Sequence, residues 1–168
     1  MIRFLLAALI STFALTSCAG YKLGNSKPSE LSTINTIAVP LFKNKTQEQR
    51  LASLVTNSMV DTIGRDGTYR VTDAQQADAT LLGTINTVRY NERRFDRFDS
   101  LRASEMYMYI VVDWKLVGPQ NEILASGQAS GRTNFTIEAN QQTSRANAFP
   151  DAAKATTELI MQRIANGF

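Results

Sequence analysis

Two stretches of this chain hold side chains able to do chemistry. The first is Leu15-Thr16-Ser17-Cys18, which ends on the single cysteine of a 168-residue sequence. Small residues before a thiol, preceded by an apolar run over residues 4–15 and the lone charge of Arg3, form the pattern of a bacterial lipobox. The expected chemistry is cleavage before Cys18 and attachment of a diacylglycerol to its sulfur. An odd cysteine in an exported chain needs a use, and lipidation supplies one; the alternative is a leftover thiol beside an ordinary cleavage site. The second stretch, residues 89–102, holds Arg89, Arg93, Arg94, Arg97 and Arg102 against Glu92, Asp96 and Asp99, with Tyr90, Phe95 and Phe98 interleaved. A guanidinium donates two bonds at once from a planar fork, which suits phosphate. The alternative is a solvated hairpin tip in which these arginines and acids pair with one another.

Composition narrows the rest. There is no histidine, and the cysteine is assigned to lipid, so thiol, imidazole, zinc, haem and Ser-His-Asp chemistry lose their usual groups. Disulfides, which an oxidising compartment would permit, are excluded by the count. Asp61, Asp66 and Asp113 are scattered and make no acid–base pair. No cofactor or metal site is therefore expected; a carboxylate enzyme stays open on composition, but nothing in the sequence points to one. A formal net charge of +3 gives no case for nucleic acid.

The apolar run near the start is too short to span a bilayer, which needs roughly 20 residues, and fits a secretory signal. Residues 1–17 are expected to be a lipoprotein-type signal peptide. Residues 18–33 read as lipid anchor and polar tether, and residues 34–168 as one domain. Ala19 follows the cysteine where an inner-membrane retention signal of enteric bacteria would place Asp, so the expected destination is the outer membrane, facing the periplasm.

These groups need elements to position them. Ile34, Ile37, Ala38, Val39, Leu41 and Phe42 suggest a buried strand ending near Pro40. Thr46 with Gln49 resembles a capping box, and Leu51, Leu54, Val55, Met59 and Ile63 mark one helical face, placing a helix over 46–65. Gly64 and Asp66-Gly67 stop it. Tyr69-Arg70-Val71 reads as a short strand, and residues 79–90 as a long one. Leu81 and Ile85 share one parity, Val88 and Tyr90 the other, so a bulge is expected near Asn86. Residues 105–117 alternate strictly: Met106, Met108, Ile110, Val112, Trp114 and Leu116 face one way. Tyr107, Tyr109, Val111, Asp113 and Lys115 face the other, and this side is more aromatic and apolar than a water-facing one needs to be. Arg132 and Asn134 on the next strand, residues 122–137, would extend it. The small residues Gly127, Ala129 and Gly131 would admit a helix close to the sheet. That helix is expected over 150–165, with Pro150 in its first turn and Ala152, Thr156, Leu159, Ile160, Arg163 and Ile164 as its stripe. The order β-α-β-β-β-β-α predicts an α+β fold: a mostly antiparallel four- to five-stranded sheet with two helices on one face.

Several ordered pieces carry a resemblance. They are Cys18-Ala19-Gly20-Tyr21-Lys22-Leu23-Gly24, Ile37-Ala38-Val39-Pro40-Leu41-Phe42-Lys43-Asn44 with Thr46, and the helix after it. Ala77-Asp78-Ala79-Thr80-Leu81-Leu82-Gly83-Thr84-Ile85 and the hairpin of tyrosines and valines complete the set. Together they resemble the lipopolysaccharide-assembly lipoprotein family, LptE, with Ala19 inserted between the family's Cys and Gly. The resemblance implies a non-enzymatic subunit beside and partly inside a β-barrel translocon, LptD. It also implies help with the barrel's folding and binding of lipopolysaccharide. Contact candidates for lipopolysaccharide or barrel are then Arg89, Arg93, Arg94, Arg97, Arg102, Tyr107, Tyr109, Lys115 and Arg132. The Ile37-Ala38-Val39-Pro40 strand with Asn44-Lys45-Thr46, the helix after it and Tyr69-Arg70-Val71 also resemble exported modules of the curli-secretion and penicillin-binding-protein-activator type. Those alternate strand and helix further along, whereas here two long strands meet through Gly118-Pro119.

Overall fold

The computed structural model describes residues 27–95 and 103–167. The expected signal peptide, Cys18, the first residues of the expected tether, Arg97 and Arg102 lie outside the described residues, as does the side chain of Arg94. Six strands and two helices follow a short 3-10 turn at Ser29–Leu31. They are β1 (Thr36–Ala38), β2 (Lys43–Asn44), α1 (Leu51–Asp66), β3 (Arg70–Val71), β4 (Ala79–Phe95), β5 (Ala103–Val117), β6 (Ile123–Thr136) and α2 (Gln141–Asn166). The fold is α+β. The sheet runs β3-β1-β4-β5-β6, with β2 also paired to β4. It is mixed: the long β4-β5-β6 meander is antiparallel, while β1, β2 and β3 add short parallel pairings.

The expected first strand is broken in two. After Ala38 the chain leaves β4 through Val39-Pro40-Leu41-Phe42 and rejoins it at Lys43. Pro40 cannot donate to a ladder, which accounts for the interruption. Phe42 turns inward and is buried, and its N–H donates to Thr56 Oγ1 on α1 at 3.0 Å. Its ring fills the space that a Cβ on Gly83 would occupy. Leu41, one residue earlier, points out and is 66% exposed.

α1 begins at Leu51 instead of residue 46. Asn44 Oδ1 accepts from Thr46 N at 2.9 Å, and Thr46 Oγ1 accepts from Glu48 N at 3.2 Å, so Thr46 belongs to a turn and caps no helix. The stop is as expected: Gly67 adopts φ 76° and donates to Ile63 O at 3.1 Å. Leu51, Val55, Met59 and Ile63 are buried on its sheet-facing side.

Asn86 is the extra residue of a β-bulge between the pairs Ile85–Val112 and Thr87–Val111. Because a bulge resets the period of two, Leu81, Ile85, Val88 and Tyr90 all pack toward the helices. In β5, Met106, Met108, Ile110, Val112, Trp114 and Leu116 are buried in one core with both helices, and Val111 and Val117 of the other parity are buried as well.

α2 is longer than its apolar stripe suggests. It starts at Gln141, where Asn140 Oδ1 accepts from Gln142 N and Thr143 N at 3.0 and 3.2 Å. Pro150 sits inside the helix, not in its first turn. It is exposed, so the missing bond to Ala146 falls on the solvent side. Ala152, Thr156, Ile160 and Ile164 line the sheet face; Leu159 is 36% exposed and does not. Gly131 lies directly beneath Thr156, whose Oγ1 donates to Ile110 O at 3.3 Å. Thr157 joins α1 through Ser58 Oγ at 3.1 Å and Thr62 Oγ1 at 2.9 Å.

A carboxylate pins the short edge of the sheet. Asp78 Oδ2 accepts from Asn35 N at 2.8 Å, and from Thr36 N and Thr36 Oγ1 both at 2.9 Å. The Asn35 amide, then the Thr36 hydroxyl and amide, hold its pKa below the ordinary 3.8. A depressed folded-state pKa stabilises the fold fully above the unfolded value, and the contribution shrinks as pH falls toward the folded one. The stability gap between wild type and Asp78→Asn is therefore expected to be flat above pH 5 and to close below about pH 3.8. Urea unfolding across that range measures it, and a gap that widens with acid would contradict the assignment.

Candidate functional site

Both helices cover one face of the sheet, α1 at the β2 and β3 side and α2 over β5 and β6. The opposite face of the β4-β5-β6 meander carries no helix among the described residues. Register fixes what stands on it. Arg89, Tyr109 and Arg132 are directly opposite one another on three adjacent strands, and Asn91, Tyr107 and Asn134 form the next row. Strands lie about 4.8 Å apart, so Arg89 and Arg132 flank Tyr109 at a separation near 10 Å along the hydrogen-bonding direction. The Arg132 guanidinium stands 4.7 Å from the Tyr107 ring centre and that of Arg93 5.6 Å from it. Tyr107 and Tyr109 meet edge to face at 6.3 Å. Stacked guanidiniums keep their donor edges free for an anion while the ring covers one face.

The structure thus brings together Arg89, Arg93, Tyr107, Tyr109 and Arg132. Arg93 also pairs with Glu105 at 2.5 Å, so at this position the paired alternative holds. Among the described residues, no carboxylate lies within ion-pair distance of Arg89 or Arg132. Arg94 contributes its backbone to the ladder opposite Glu105. Lys115 shares the face but stands six residues from Tyr109 on β5, roughly 20 Å away. Between them stand Val111, which is buried, and Asp113. Asp113 accepts from Gln128 Nε2 at 2.8 Å and Asn86 Nδ2 at 2.5 Å, and these amides lower its pKa, Gln128 most. Lys45 lowers it further, which places a third lysine near Lys43 and Lys115 at this end of the face.

Sequence reasoning missed Arg145. From α2 it stacks on Tyr90 at 4.7 Å, on the helix side of the sheet, next to the edge-to-face pair Tyr90–Phe135. The bulge at Asn86 sends Tyr90 there and leaves Arg89 on the open face, so the arginines and aromatics of residues 89–95 divide between two sides. No group of three or more potential metal ligands occurs among the described residues, and no described helix is long and apolar enough to cross a membrane.

The architecture recurs in solved proteins. A protein from Xanthomonas campestris matches with a TM-score of 0.56 at 14% identity, covering 85% of this chain and 89% of its own. A PelC dodecamer subunit from Paraburkholderia phytofirmans matches at 0.55 and 16%, covering 83% and 95%. Uncharacterized lipoprotein B from Nitrosomonas europaea matches at 0.55 and 14%, covering 87% and 90%. At such identities the likeness is one of fold: a two-layer α+β domain with a helix-covered meander. No curated protein matches the sequence. The family model for lipopolysaccharide assembly, LptE, matches residues 34–166, and the chain belongs to that family.

Proposed function

We propose that this protein is a lipid-anchored accessory subunit of the lipopolysaccharide translocon at the outer membrane. Cys18 carries the lipid and holds the domain at the periplasmic leaflet. The domain binds an LptD-like β-barrel partner and contacts lipopolysaccharide during its passage. It works by binding and positioning, with no covalent step of its own. Membership of the lipopolysaccharide-assembly family supports the role. The observation that carries the ligand assignment is the row Arg89–Tyr109–Arg132 on the helix-free face. Two arginines rooted about 10 Å apart on either side of a tyrosine suit the phosphates of an amphiphile whose sugars and acyl chains need an aromatic surface.

The partner half is tested by isolation from detergent-solubilised outer membranes through an affinity tag on the C-terminus. A large β-barrel protein is expected in stoichiometric yield, and its recovery should fall when Cys18 is replaced by Ala. Recovery of the protein alone, or with a cell-wall synthase, would sink this reading.

A further inference from the structure

The open face has a second feature, at the end away from the arginines. Pro40, Leu41 and Leu82 line a groove of about 690 Å³, together with Lys43, Lys115 and Ser126. Leu41 is the most exposed large apolar residue described, at 66%, and Leu82 beside it is 36% exposed. Its outward position is built in. Phe42 is anchored in the core, Lys45 N donates to Ile85 O at 2.9 Å, and Asn44 ties Thr46 and Glu48, so the loop cannot turn Leu41 inward without undoing these bonds. Lys43, Lys45 and Lys115 are exposed around it. Asp113 also lines the groove, and both its oxygens are engaged by Asn86 and Gln128.

Where the chain enters matters equally. Lys27 Nζ donates to Ile34 O at 2.6 Å and Asn35 Oδ1 at 2.8 Å, just before β1 and level with the start of β4. Leu82 stands three residues into β4, roughly 10 Å from that end. The stretch from Cys18 to Lys27 spans at most about 30 Å. A bilayer surface holding Cys18 is therefore within reach of the groove.

We propose that this groove docks on an anionic lipid surface, with Leu41 inserted among acyl chains and Lys43, Lys45 and Lys115 set on headgroup phosphates. An apolar side chain ringed by lysines is the arrangement that partitions into an anionic interface. The docking orients the domain, where a lipid tether alone would leave it free to rotate. It rests on the anchoring at Cys18 only for bringing the groove to the membrane.

The test uses the full lipidated protein with Leu41→Cys carrying a polarity-sensitive fluorophore; the other cysteine is occupied by lipid. In vesicles containing phosphatidylglycerol, emission should shift to the blue and be quenched by nitroxides on acyl chains. In phosphatidylcholine alone it should not. Each lysine contributes about fivefold to partitioning, so Lys43→Gln with Lys115→Gln should lower the inserted-to-free ratio on the order of 25-fold. The same label at Leu159→Cys on α2 should stay aqueous throughout. Aqueous emission from position 41 in anionic vesicles overturns the proposal, as does an equal shift in both vesicle types. A shift that needs an added barrel protein overturns it as well and makes the groove a protein interface. Flotation with the vesicles reports the lipid at Cys18 and emission reports the groove, so the two readings fail separately.

Discussion

Gly131→Ala is expected to lower the melting temperature by roughly 6–12 °C, although it adds one methyl group. A Cβ at Gly131 would fall on the backbone nitrogen and Cα of Thr156, well inside contact distance. Backbone cannot rotate aside, so α2 must lift off β6 or the strand must bend. Overpacking of this kind costs about 3 kcal/mol, and a domain of this size loses 2–4 °C per kcal/mol. Lifting α2 also strains Thr156 Oγ1 on Ile110 O and loosens Ala152, Ile160 and Ile164, all fully buried. The comparison is Gly127→Ala, four residues earlier on the same strand face. Its Cβ would meet Trp114 Cζ2 at 3.2 Å and Arg163 Nη1 at 3.4 Å, both side-chain atoms and both about 1 Å farther off than the Thr156 backbone is from Gly131. That change should cost about 1 kcal/mol or less. Thermal unfolding followed by circular dichroism distinguishes the two, and equal effects would mean that α2 does not rest on Gly131.

The second large effect concerns binding. Arg89→Glu with Arg132→Glu is expected to weaken lipopolysaccharide binding by about 100-fold while the melting temperature stays within about 2 °C of wild type. A charge-assisted hydrogen bond contributes about 1.5–3 kcal/mol, so losing one at each arginine removes at least about 3 kcal/mol, and tenfold in affinity is about 1.4 kcal/mol. Both residues are exposed and neither holds an ion pair among the described residues, so the fold loses little. Arg65→Glu with Lys154→Glu changes net charge equally from the helices and controls for long-range attraction. If it weakens binding as much as the arginine pair does, the row on the open face is not the site. Binding of the arginine variant should also lose much of its salt dependence.

Much of this face was legible before any coordinates. The strict alternation of β5 assigned Tyr107, Tyr109 and Lys115 to one side because the opposite parity was wholly apolar. The parity conflict between Ile85 and Val88 located the bulge at Asn86, since only an inserted residue lets both halves bury their apolar set. Gly127, Ala129 and Gly131 announced a close helix by leaving room for one. The start of α2 was not legible. Its first turns, Gln-Gln-Thr-Ser-Arg-Ala-Asn-Ala-Phe, bury little besides Ser144 and Ala148, and Pro150 reads more naturally as a beginning than as an interior residue. The same gap hid Arg145. The split of the first strand into β1 and β2 was also missed, because a two-residue parallel pairing has no period to detect. What residue types do not encode is adjacency across strands: Arg89 and Arg132 are 43 positions apart, and register alone makes them neighbours of Tyr109.

The two ends of β4 give the molecule a polarity of reach. The chain enters beside Ala79, where Lys27 is fastened, and the last described pair of the hairpin, Phe95 with Ala103, closes the other end. Sixteen steps at about 3.3 Å separate them, roughly 50 Å, against about 30 Å for the hydrocarbon thickness of a bilayer. Under the proposed anchoring at Cys18, the Lys27 end is the base and the domain acts as a boom. Tilting it by a few degrees at the base sweeps the arginine end through several ångströms, so small changes near Lys27 are magnified where phosphate would be held.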